Sequence, residues 1–208
     1  MKTVLVANRK GGVGKTMIAV TLASALANRM QRVALADADR QQSALGWLEQ
    51  RPKDAARIRA LDWTKTSDIG DHPKKLDWLV IDAPGALKGS KVETLIAQAT
   101  AVLAPVQPSF FDAASTEGFL ADIEEIKRIR KGKVPVEIIA NRCRQNSRAA
   151  TALKETFAEI GRTPLAWLSE RAAYADLAAS GLTIFDRNLK VLDPIKAQWS
   201  PILDAIGA

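Results

Sequence analysis

The chain has 208 residues, of which 47% are apolar and 25% are charged, and this composition excludes a disordered protein. The length suits one domain with a sizeable core, so we expect a single domain over residues 1–208. The lone cysteine, Cys143, excludes an intramolecular disulfide, and the absence of a recognisable secretory leader or an 18-residue apolar run predicts a cytoplasmic location.

Short apolar runs alternate with amphipathic segments along the chain. Six runs are apolar on both faces, as buried parallel strands are: 3–8, 32–37, 77–82, 101–106, 136–141 and 164–168. Apolar residues at three- and four-residue spacing predict helices at 17–30, 115–130 and 147–160, and two further helical segments follow at 171–180 and 194–206. Residues 51–76 predict a loop with one weak strand at 57–61. This rhythm predicts an α/β fold, with helices on both faces of a mostly parallel, twisted sheet.

A glycine-rich segment, NRKGGVGKT at residues 8–16, joins the first predicted strand to the first predicted helix. It departs from the G-x-x-x-x-G-K-[ST] pattern, because Arg9 stands where that pattern has its first glycine. Three glycines still allow backbone N–H groups to face an anion at a helix start: Gly11, Gly12 and Gly14. We expect Lys15 to reach the β and γ phosphates of a nucleoside triphosphate and Thr16 to bind Mg²⁺. A glycine-rich turn without a ligand is the alternative, which the order of strand, loop and helix disfavours.

The segment KGGVGKT, residues 10–16, resembles the deviant Walker A motif, K-G-G-x-G-K-[ST], of the ParA/MinD family of ATPases. Four more segments resemble family motifs in the same order: ALADADRQQSA at 34–44, WLVIDAPG at 78–85, VLAPVQPSFFDA at 102–113 and ERAAYADLAASGLTIFD at 170–186. The resemblance covers nearly the whole chain and is closest to short ParA proteins that lack an N-terminal DNA-binding extension. It implies a P-loop fold that binds ATP and Mg²⁺.

The resemblance also assigns a role to the earlier lysine, Lys10. It implies that Lys10 reaches the phosphates of a nucleotide bound to a second subunit, so that two ATP molecules lie between two chains. Electrostatics agree, because a triphosphate with Mg²⁺ keeps about two negative charges that Lys15 alone does not neutralise, and a lysine supplied by a partner acts like an arginine finger. We therefore expect an ATP-dependent homodimer. A solvated loop lysine is the alternative.

Three aspartates lie at or just after the ends of predicted strands, at the edge of a parallel sheet where ligands bind. Asp82 ends the run 77–82 and is expected to bind Mg²⁺. Asp39 follows the run 32–37, and the resemblance implies that Asp39 orients the attacking water, with Lys10 and Lys15 as the other catalytic residues. Asp37 is expected to have a structural or indirect role. Capping of a helix N-terminus is the alternative for these aspartates.

The expected nucleotide-binding positions are Gly11, Gly12, Val13, Gly14, Lys15, Thr16, Met17 and Asn141. Asn141 ends the run 136–141 and matches the family position whose side-chain amide contacts adenine, although capping a loop is an equally ordinary use of asparagine. Met17 replaces a second threonine of the family motif and therefore lacks a hydroxyl for the α phosphate. Arg40 replaces the proline of the family's D-x-D-P-Q segment, which predicts a less rigid loop.

Basic residues are concentrated in one part of the chain, and their excess over the single acid there, Glu137, equals the formal net charge of +7. They are Lys127, Arg128, Arg130, Lys131, Lys133, Arg142, Arg144 and Arg148. We expect them to converge on one face, and the resemblance implies that the dimer binds DNA without regard to sequence, with Arg171 as a further candidate. The alternative is that these cations are merely solvated at helix ends.

The resemblance implies an ATPase, weak by itself, that is associated with the nucleoid and positions a plasmid, a chromosome region or a large protein assembly. A ParB-like or cargo adaptor protein would stimulate hydrolysis. One alternative is a membrane-associated division-site regulator like MinD, but the tail KAQWSPILDAIGA lacks a basic amphipathic helix, so no membrane partner is expected. The other alternative is a metabolic enzyme with the same fold. An iron–sulfur reductase of the nitrogenase kind needs cysteines that this chain lacks, and ligases of the dethiobiotin synthetase kind lack the extra lysine that this chain has.

Overall fold

The computed structural model describes residues 1–65, 72–85, 90–144 and 146–208. Within these residues, seven strands form one sheet in the order β3-β2-β4-β1-β5-β6-β7. The strands are β1 (Lys2–Val6), β2 (Val33–Asp37), β3 (Ile58–Asp62), β4 (Trp78–Asp82), β5 (Ala101–Val106), β6 (Val136–Cys143) and β7 (Ala166–Ser169). Every neighbouring pair is parallel. The carboxyl ends of the strands therefore meet at one edge of the sheet, here called the carboxyl edge, and the opposite edge is the amino edge.

Helices cover both faces of this sheet. They are α1 (Lys15–Ala27), α2 (Ser43–Gln50), α3 (Ser90–Gln98), α4 (Phe110–Glu124), α5 (Lys127–Arg130), α6 (Arg148–Glu159), α7 (Ala172–Ala178), α8 (Asp193–Ala197) and α9 (Ser200–Ile206). Side chains of β1 alternate between two apolar cores, as a strand requires. Val4 and Val6 pack in the core that contains α1, α2, α8 and α9, whereas Leu5 packs with α3, α4 and α6.

The predicted α/β fold is confirmed, and the sheet of the described residues is entirely parallel. All six predicted strands are present, and the weak strand predicted at 57–61 is the edge strand β3. The helix predicted at 115–130 is broken, because Ile126 has an extended backbone between α4 and α5. The helix predicted at 194–206 is also broken, into α8 and α9, since Pro201 has no N–H group to continue a helix.

Two helices, α2 and α3, were not predicted from the sequence. The residue before α2, Gln42, has φ of +54° and gives no side-chain hydrogen bond to the helix start. The carboxylate of Asp37 instead accepts hydrogen bonds from the backbone N–H groups of Ala44 and Leu45, at 2.9 and 3.1 Å. The start signal of α2 is therefore several residues upstream, where a search for a local cap does not find it.

Helix α1 is buried almost all round and carries the glycine-rich loop at its N-terminus. A helix that is apolar on every side must be covered on every side. The sheet covers one side of α1, and the segment from the 3₁₀ turn Ile184–Asp186 to α9 covers another, with Ile184 and Trp199 fully buried in the same core. This enclosure gives the loop a rigid base.

A buried ion pair fastens the C-terminal end of α1. Arg51 donates to Asp186 at 2.7 Å, and both side chains are almost completely buried. Ser24 of α1 and Asn28, the residue that follows α1, donate to the same carboxylate at 2.6 and 2.9 Å. Burial alone would raise the pKa of Asp186, but the hydrogen bonds from Arg51, Ser24 and Asn28 outweigh it and lower the pKa to about 2. This cluster is satisfied within the chain.

Candidate nucleotide-binding site

The glycine-rich loop lies between β1 and α1 at the carboxyl edge. Gly12 and Gly14 have φ of +80° and +93°, a backbone region in which other residues are strained. Gly14 is also confined by Asn141, because a Cβ atom at position 14 would overlap the side-chain amide of Asn141. The first N–H groups of α1 have no carbonyl partner within the helix and lie beside this turn. The loop therefore presents backbone donors and a helix N-terminus to an anion.

Three side chains hold the loop in place. The buried Asn8 donates to the carbonyl of Pro105 and to Oγ1 of Thr116, both at 2.8 Å, and accepts from the N–H of Lys10 at 3.0 Å. Gln107, just after β5, donates to the carbonyl of Gly12 at 2.6 Å. Asn141, near the end of β6, donates to the carbonyl of Val13 at 2.8 Å. These bonds tie the loop to β5, α4 and β6.

The two lysines of the motif lie in different surroundings. Lys15 is buried and donates to the carbonyl of Lys10 at 3.1 Å. Burial lowers the pKa of Lys15, while the negative charges of Asp82 and Asp39 act in the opposite direction. The Lys10 side chain is half-buried and makes no hydrogen bond or ion pair with the residues that the structure describes. Lys15 is therefore buried inside the site, whereas the ammonium of Lys10 has no partner among the residues described.

Asp82 ends β4 in register with Asp37 of β2 and is fully buried. Among the described residues, neither carboxylate oxygen of Asp82 accepts a hydrogen bond. Burial raises the pKa of Asp82 to about 7, and the Thr16 hydroxyl partly offsets this rise. The charge of Asp37 raises this pKa further, whereas Lys15 lowers it. Burying a carboxylate without hydrogen bonds costs free energy, and a bound cation would offset that cost.

Mg²⁺ fits this orphaned carboxylate. No cluster of three or more acidic, histidine or cysteine side chains suited to a metal occurs in the described ranges. Mg²⁺ at a nucleotide site does not need one, because it keeps several waters and takes one or two protein ligands together with phosphate oxygens. Asp82 and Thr16 are the residues that would hold it. Asp82 ends β4 at the carboxyl edge, and Thr16 lies in the first turn of α1.

The other two aspartates have different partners. Asp37 is fully buried, and its carboxylate accepts hydrogen bonds from two backbone N–H groups of α2 and from the N–H of Asp39. Burial raises the pKa of Asp37, and these backbone donors oppose the change. Asp39 is half-buried and accepts from the N–H of Gln41 at 3.0 Å and from the N–H of Gly85 at 3.3 Å. Asp37 thus caps a helix, and Asp39 links the loop after β2 to the loop after β4.

A cavity of about 370 Å³ opens beside the start of α1. Its wall is mostly apolar and includes Met17, Leu168, Tyr174 and Trp199, with Asn141 at the side of the loop. Trp199 donates to the Tyr174 hydroxyl at 2.9 Å, and burial raises the pKa of that hydroxyl to about 12. An apolar cleft with few polar groups next to a phosphate loop suits the base and ribose of a nucleotide. Met17 therefore lies towards this cavity.

The family model described as CobQ/CobB/MinD/ParA nucleotide binding domain matches residues 4–184. The chain belongs to this family. It is 31% identical over 192 residues to maintenance of carboxysome distribution protein A of Halothiobacillus neapolitanus, covering 88% of this chain and 86% of that protein. It is 28% identical over 190 residues to protein ParA of Rhizobium radiobacter, covering 87% and 84%.

A solved structure shares the fold of this ParA/MinD-family domain. It is a protein of Borrelia burgdorferi named for plasmid partition and bound to AMPPNP, which superposes with a TM-score of 0.75 over 98% of this chain and 99% of that chain. The two sequences are 20% identical, so this likeness concerns the fold. The match to the family model confirms the resemblance of this chain to the ParA/MinD family.

Several residues at the loop of this ParA/MinD-family domain were missed by the sequence reasoning. Asn8 and Gln107 hold the loop, and Arg9 donates to the carbonyl of Ser115 on α4 at 3.1 Å. The guanidinium of Arg9 lies where a Cβ atom at Gly118 would be. Gln107 directly follows β5 and Asn8 lies two residues after β1, and a polar residue at the end of a buried strand was their only signal in the sequence.

The expectation that the basic residues converge on one face is wrong. Lys127, Arg128, Arg130, Lys131 and Lys133 precede β6 and lie at the amino edge; we name them the amino-edge group. Arg142, Arg144, Arg148 and Arg171 lie at the carboxyl edge and form the carboxyl-edge group. Strand β6 has eight residues and is about 23 Å long; the amino-edge group precedes it, and Arg142 is its second-last residue. In the carboxyl-edge group, Arg144 pairs with Glu170 at 2.7 Å. No helix in the described residues is both long and apolar enough to cross a membrane.

Proposed function

We propose that this chain is a positioning ATPase, in which two copies bind ATP between them, the dimer binds DNA, and hydrolysis returns the copies to monomers. The observation that carries the proposal is the pair of lysines in the loop. Lys15 is buried beside Asp82, whereas Lys10 has its backbone fixed by Asn8 and Lys15 and its ammonium unpaired in the described part of the chain. A cation held in this way suits a phosphate that belongs to another copy.

The side chains around the loop support hydrolysis of ATP. Lys15 would contact the β and γ phosphates, while Thr16 and Asp82 would hold Mg²⁺, which supplies positive charge to polarise the phosphoryl group. Asp39 is held by two backbone N–H groups on facing loops, so its carboxylate has a defined direction. It would accept a hydrogen bond from the attacking water and orient that water. Lys10 of the partner copy would stabilise the charge that develops on the phosphates.

The cavity beside α1 supports binding of the nucleoside. Asn141 already uses its side-chain N–H on the carbonyl of Val13, which leaves its side-chain oxygen to accept from the adenine amino group. Met17 would contact the nucleoside through its apolar side chain instead of the α phosphate. Gly11, Gly12, Val13 and Gly14 would contribute backbone contacts to the phosphates.

Binding of DNA without regard to sequence is supported by the basic excess. Lys131 and Lys133 of the amino-edge group, and Arg142, Arg148 and Arg171 of the carboxyl-edge group, have no ion pair in the described residues. A dimer doubles the number of such cations, and phosphate contacts add steeply to affinity at low salt. This dependence on the dimer would couple DNA binding to ATP.

The names of the relatives support a large cargo, since one is named for carboxysome distribution and another structure for plasmid partition. We infer that this chain positions a plasmid, a chromosome region or a protein assembly, acting in the cytoplasm on the nucleoid. A ParB-like or adaptor protein would stimulate an otherwise weak hydrolysis.

The decisive experiment measures association and DNA binding of the full chain with a non-hydrolysable ATP analogue, with ADP and without nucleotide. Light scattering should show a dimer only when the analogue is present. DNA affinity should be higher with the analogue than with ADP or without nucleotide. Lys10→Ala should remain monomeric and lose turnover, whereas Lys53→Ala, a change of an exposed lysine in the α2–β3 loop, should behave like the wild type.

DNA affinity that is equal with the analogue, with ADP and without nucleotide would overturn the proposal. Sedimentation with anionic vesicles provides the second arm. Binding to vesicles only with ATP would instead support the membrane-associated alternative.

A further inference from the structure

Two adjacent aromatic side chains are exposed at the carboxyl edge, next to the glycine-rich loop. Phe110 and Phe111 begin α4 and are 80% and 75% exposed. Their rings pack against each other edge to face with centroids 5.7 Å apart. Among the large apolar side chains that are exposed in the described residues, these two are the aromatic ones. Aromatic rings are enriched at interfaces relative to the rest of a protein surface, and the largest apolar patch of a monomer is often functional.

The start of α4 is joined to the loop by hydrogen bonds. Gln107, three residues before Phe110, donates to the carbonyl of Gly12. Asn8 donates to Oγ1 of Thr116, and Arg9 donates to the carbonyl of Ser115. The Phe110–Phe111 pair therefore lies near the exposed backbone of Gly11 and Gly12, at the carboxyl edge. A second copy that covers the loop would have the rings close to its surface.

We propose that the Phe110–Phe111 pair is the apolar contact of the homodimer, packing against a second copy of this chain when ATP is bound. This inference rests on the proposed function, because it takes the two-copy arrangement around ATP as given and assigns the residues that hold the copies together.

Symmetry favours a second copy over another partner. In a twofold interface the same patch of each copy meets its equivalent, so the patch must be self-complementary. An apolar aromatic patch meets itself without repulsion. Charges of both signs lie nearby, since Asp112 follows the rings in the first turn of α4 and Lys10 belongs to the adjoining loop. The patch has no excess of one sign that would call for a partner of the opposite charge.

The area of the patch explains why association would depend on ATP. Two rings at this exposure offer about 300 Å² per chain, well below the roughly 800 Å² per partner of a stable interface. Without nucleotide, the cations Lys10 and Lys15 of each copy would also repel those of the other. Bound triphosphate removes this repulsion and extends the buried area, and the rings then supply the apolar part of the contact.

The test compares the double variant Phe110→Ser/Phe111→Ser with the wild type by sedimentation equilibrium in saturating non-hydrolysable ATP analogue. We expect the dimer dissociation constant to rise at least about tenfold, since two buried aromatic anchors are lost. Binding of a fluorescent ATP analogue to the monomer should stay within about twofold of the wild type. The matched control, Met30→Ser/Ile160→Ser, removes two exposed apolar side chains at the helix ends on the amino edge and should leave the constant unchanged.

A positive signal comes from Phe111→Cys labelled with a polarity-sensitive maleimide dye. The native Cys143 is buried, and burial raises its thiol pKa to about 11, so it should label slowly. The dye at position 111 should shift to the blue with the ATP analogue. Adding Lys10→Ala should abolish this shift.

The outcomes separate this inference from the proposed function. A wild type that dimerises and a double variant that dimerises equally well overturn the inference alone and leave the rings to another protein. A double variant that no longer binds nucleotide also overturns it, because the rings would then serve the nucleotide site. A wild type that stays monomeric when saturated with the analogue removes both proposals.

Discussion

Helix α1 has a buried cluster of charge at each end, and the two clusters differ in how their carboxylates are partnered. At the C-terminal end, Asp186 accepts from Arg51, Ser24 and Asn28, and its pKa is lowered to about 2. At the N-terminal end, burial raises the pKa of Asp82 to about 7, and neither oxygen accepts a hydrogen bond in the described part of the chain. The same residue type is satisfied in one cluster and orphaned in the other.

This contrast separates a structural cluster from a functional one. The Asp186 cluster needs nothing from outside, and its loss would leave the cation of Arg51 buried and unpaired. The Asp82 cluster holds a carboxylate and a lysine in a way that costs free energy until a ligand with both a metal and an anion arrives. The Asp186 cluster therefore stabilises one end of α1, and the Asp82 cluster at the other end lowers stability but is suited to bind a ligand.

Disrupting the nucleotide-binding site should have the largest effect, and this effect should appear in ATP turnover. We expect Asp39→Ala to lower ATP turnover by about 10²- to 10⁴-fold, because the attacking water loses its orienting carboxylate. The thermal midpoint should change little, and the ATP-bound dimer should persist. A phosphate-release assay measures the first effect and light scattering the second. Asp54→Ala, at an exposed loop aspartate, is the control and should retain turnover.

Disrupting the Asp186 cluster should lower the stability of the fold and leave turnover unchanged. Asp186→Ala should lower the free energy of unfolding by about 3 to 5 kcal/mol, because it leaves Arg51 buried without its partner. Turnover per folded molecule should be unchanged. Urea denaturation of Asp186→Ala and of Asp77→Ala makes the comparison, since Asp77 also has an arginine partner, Arg32, but on the surface. Equal losses in the two variants would contradict the structural role of the buried cluster.

The pH dependence of stability should differ in sign between the two carboxylates. The folded pKa of Asp82, about 7, lies above its unfolded value near 4, so folding favours the protonated form and stability falls as pH rises through this window. The folded pKa of Asp186 is lowered, so its contribution is present above about pH 4 and is lost as pH falls towards 2.

Thermal midpoints measured between pH 4 and 8 without Mg²⁺ and nucleotide test the Asp82 part of this difference. Asp82→Asn should flatten the slope, which is at most about 1.4 kcal/mol per pH unit for one group. Stabilisation by Mg²⁺ and ATP should grow with pH in the wild type. An unchanged slope in Asp82→Asn would show that another group titrates there.

The smallest effect concerns the support of the loop. Gln107→Ala removes one hydrogen bond to the carbonyl of Gly12, which is worth about 1 kcal/mol, so ATP affinity should fall about fivefold. Gln31→Ala, at an exposed position beyond the end of α1, should leave affinity unchanged. Calorimetric titration with the non-hydrolysable analogue measures both. An affinity of Gln107→Ala equal to that of the control would mean that Asn8 and Asn141 suffice to hold the loop.

Local patterns account for the parts of the fold that could be predicted. Runs that are apolar on both faces gave β1, β2, β4, β5, β6 and β7, because burial of a parallel strand depends on its own residues. The spacing of Gly11, Gly12, Gly14 and Lys15 likewise indicated an anion site, since the glycines and the helix start are adjacent in the chain. The short helix α2 was missed because its capping carboxylate, Asp37, lies on the preceding strand.

The sequence by itself determined an α/β chain of the ParA/MinD family with a phosphate loop near its start, because glycine spacing and apolar runs act over a few residues. Only the tertiary structure decided that Asp37 caps a helix and that Asp82 accepts no hydrogen bond from the described residues. It also decided that the basic residues lie at opposite edges of the sheet. It also brought Gln107 and Asn141 onto a loop about a hundred residues away. These facts depend on strand order and parallel register, which join distant segments at one edge and which no local pattern encodes.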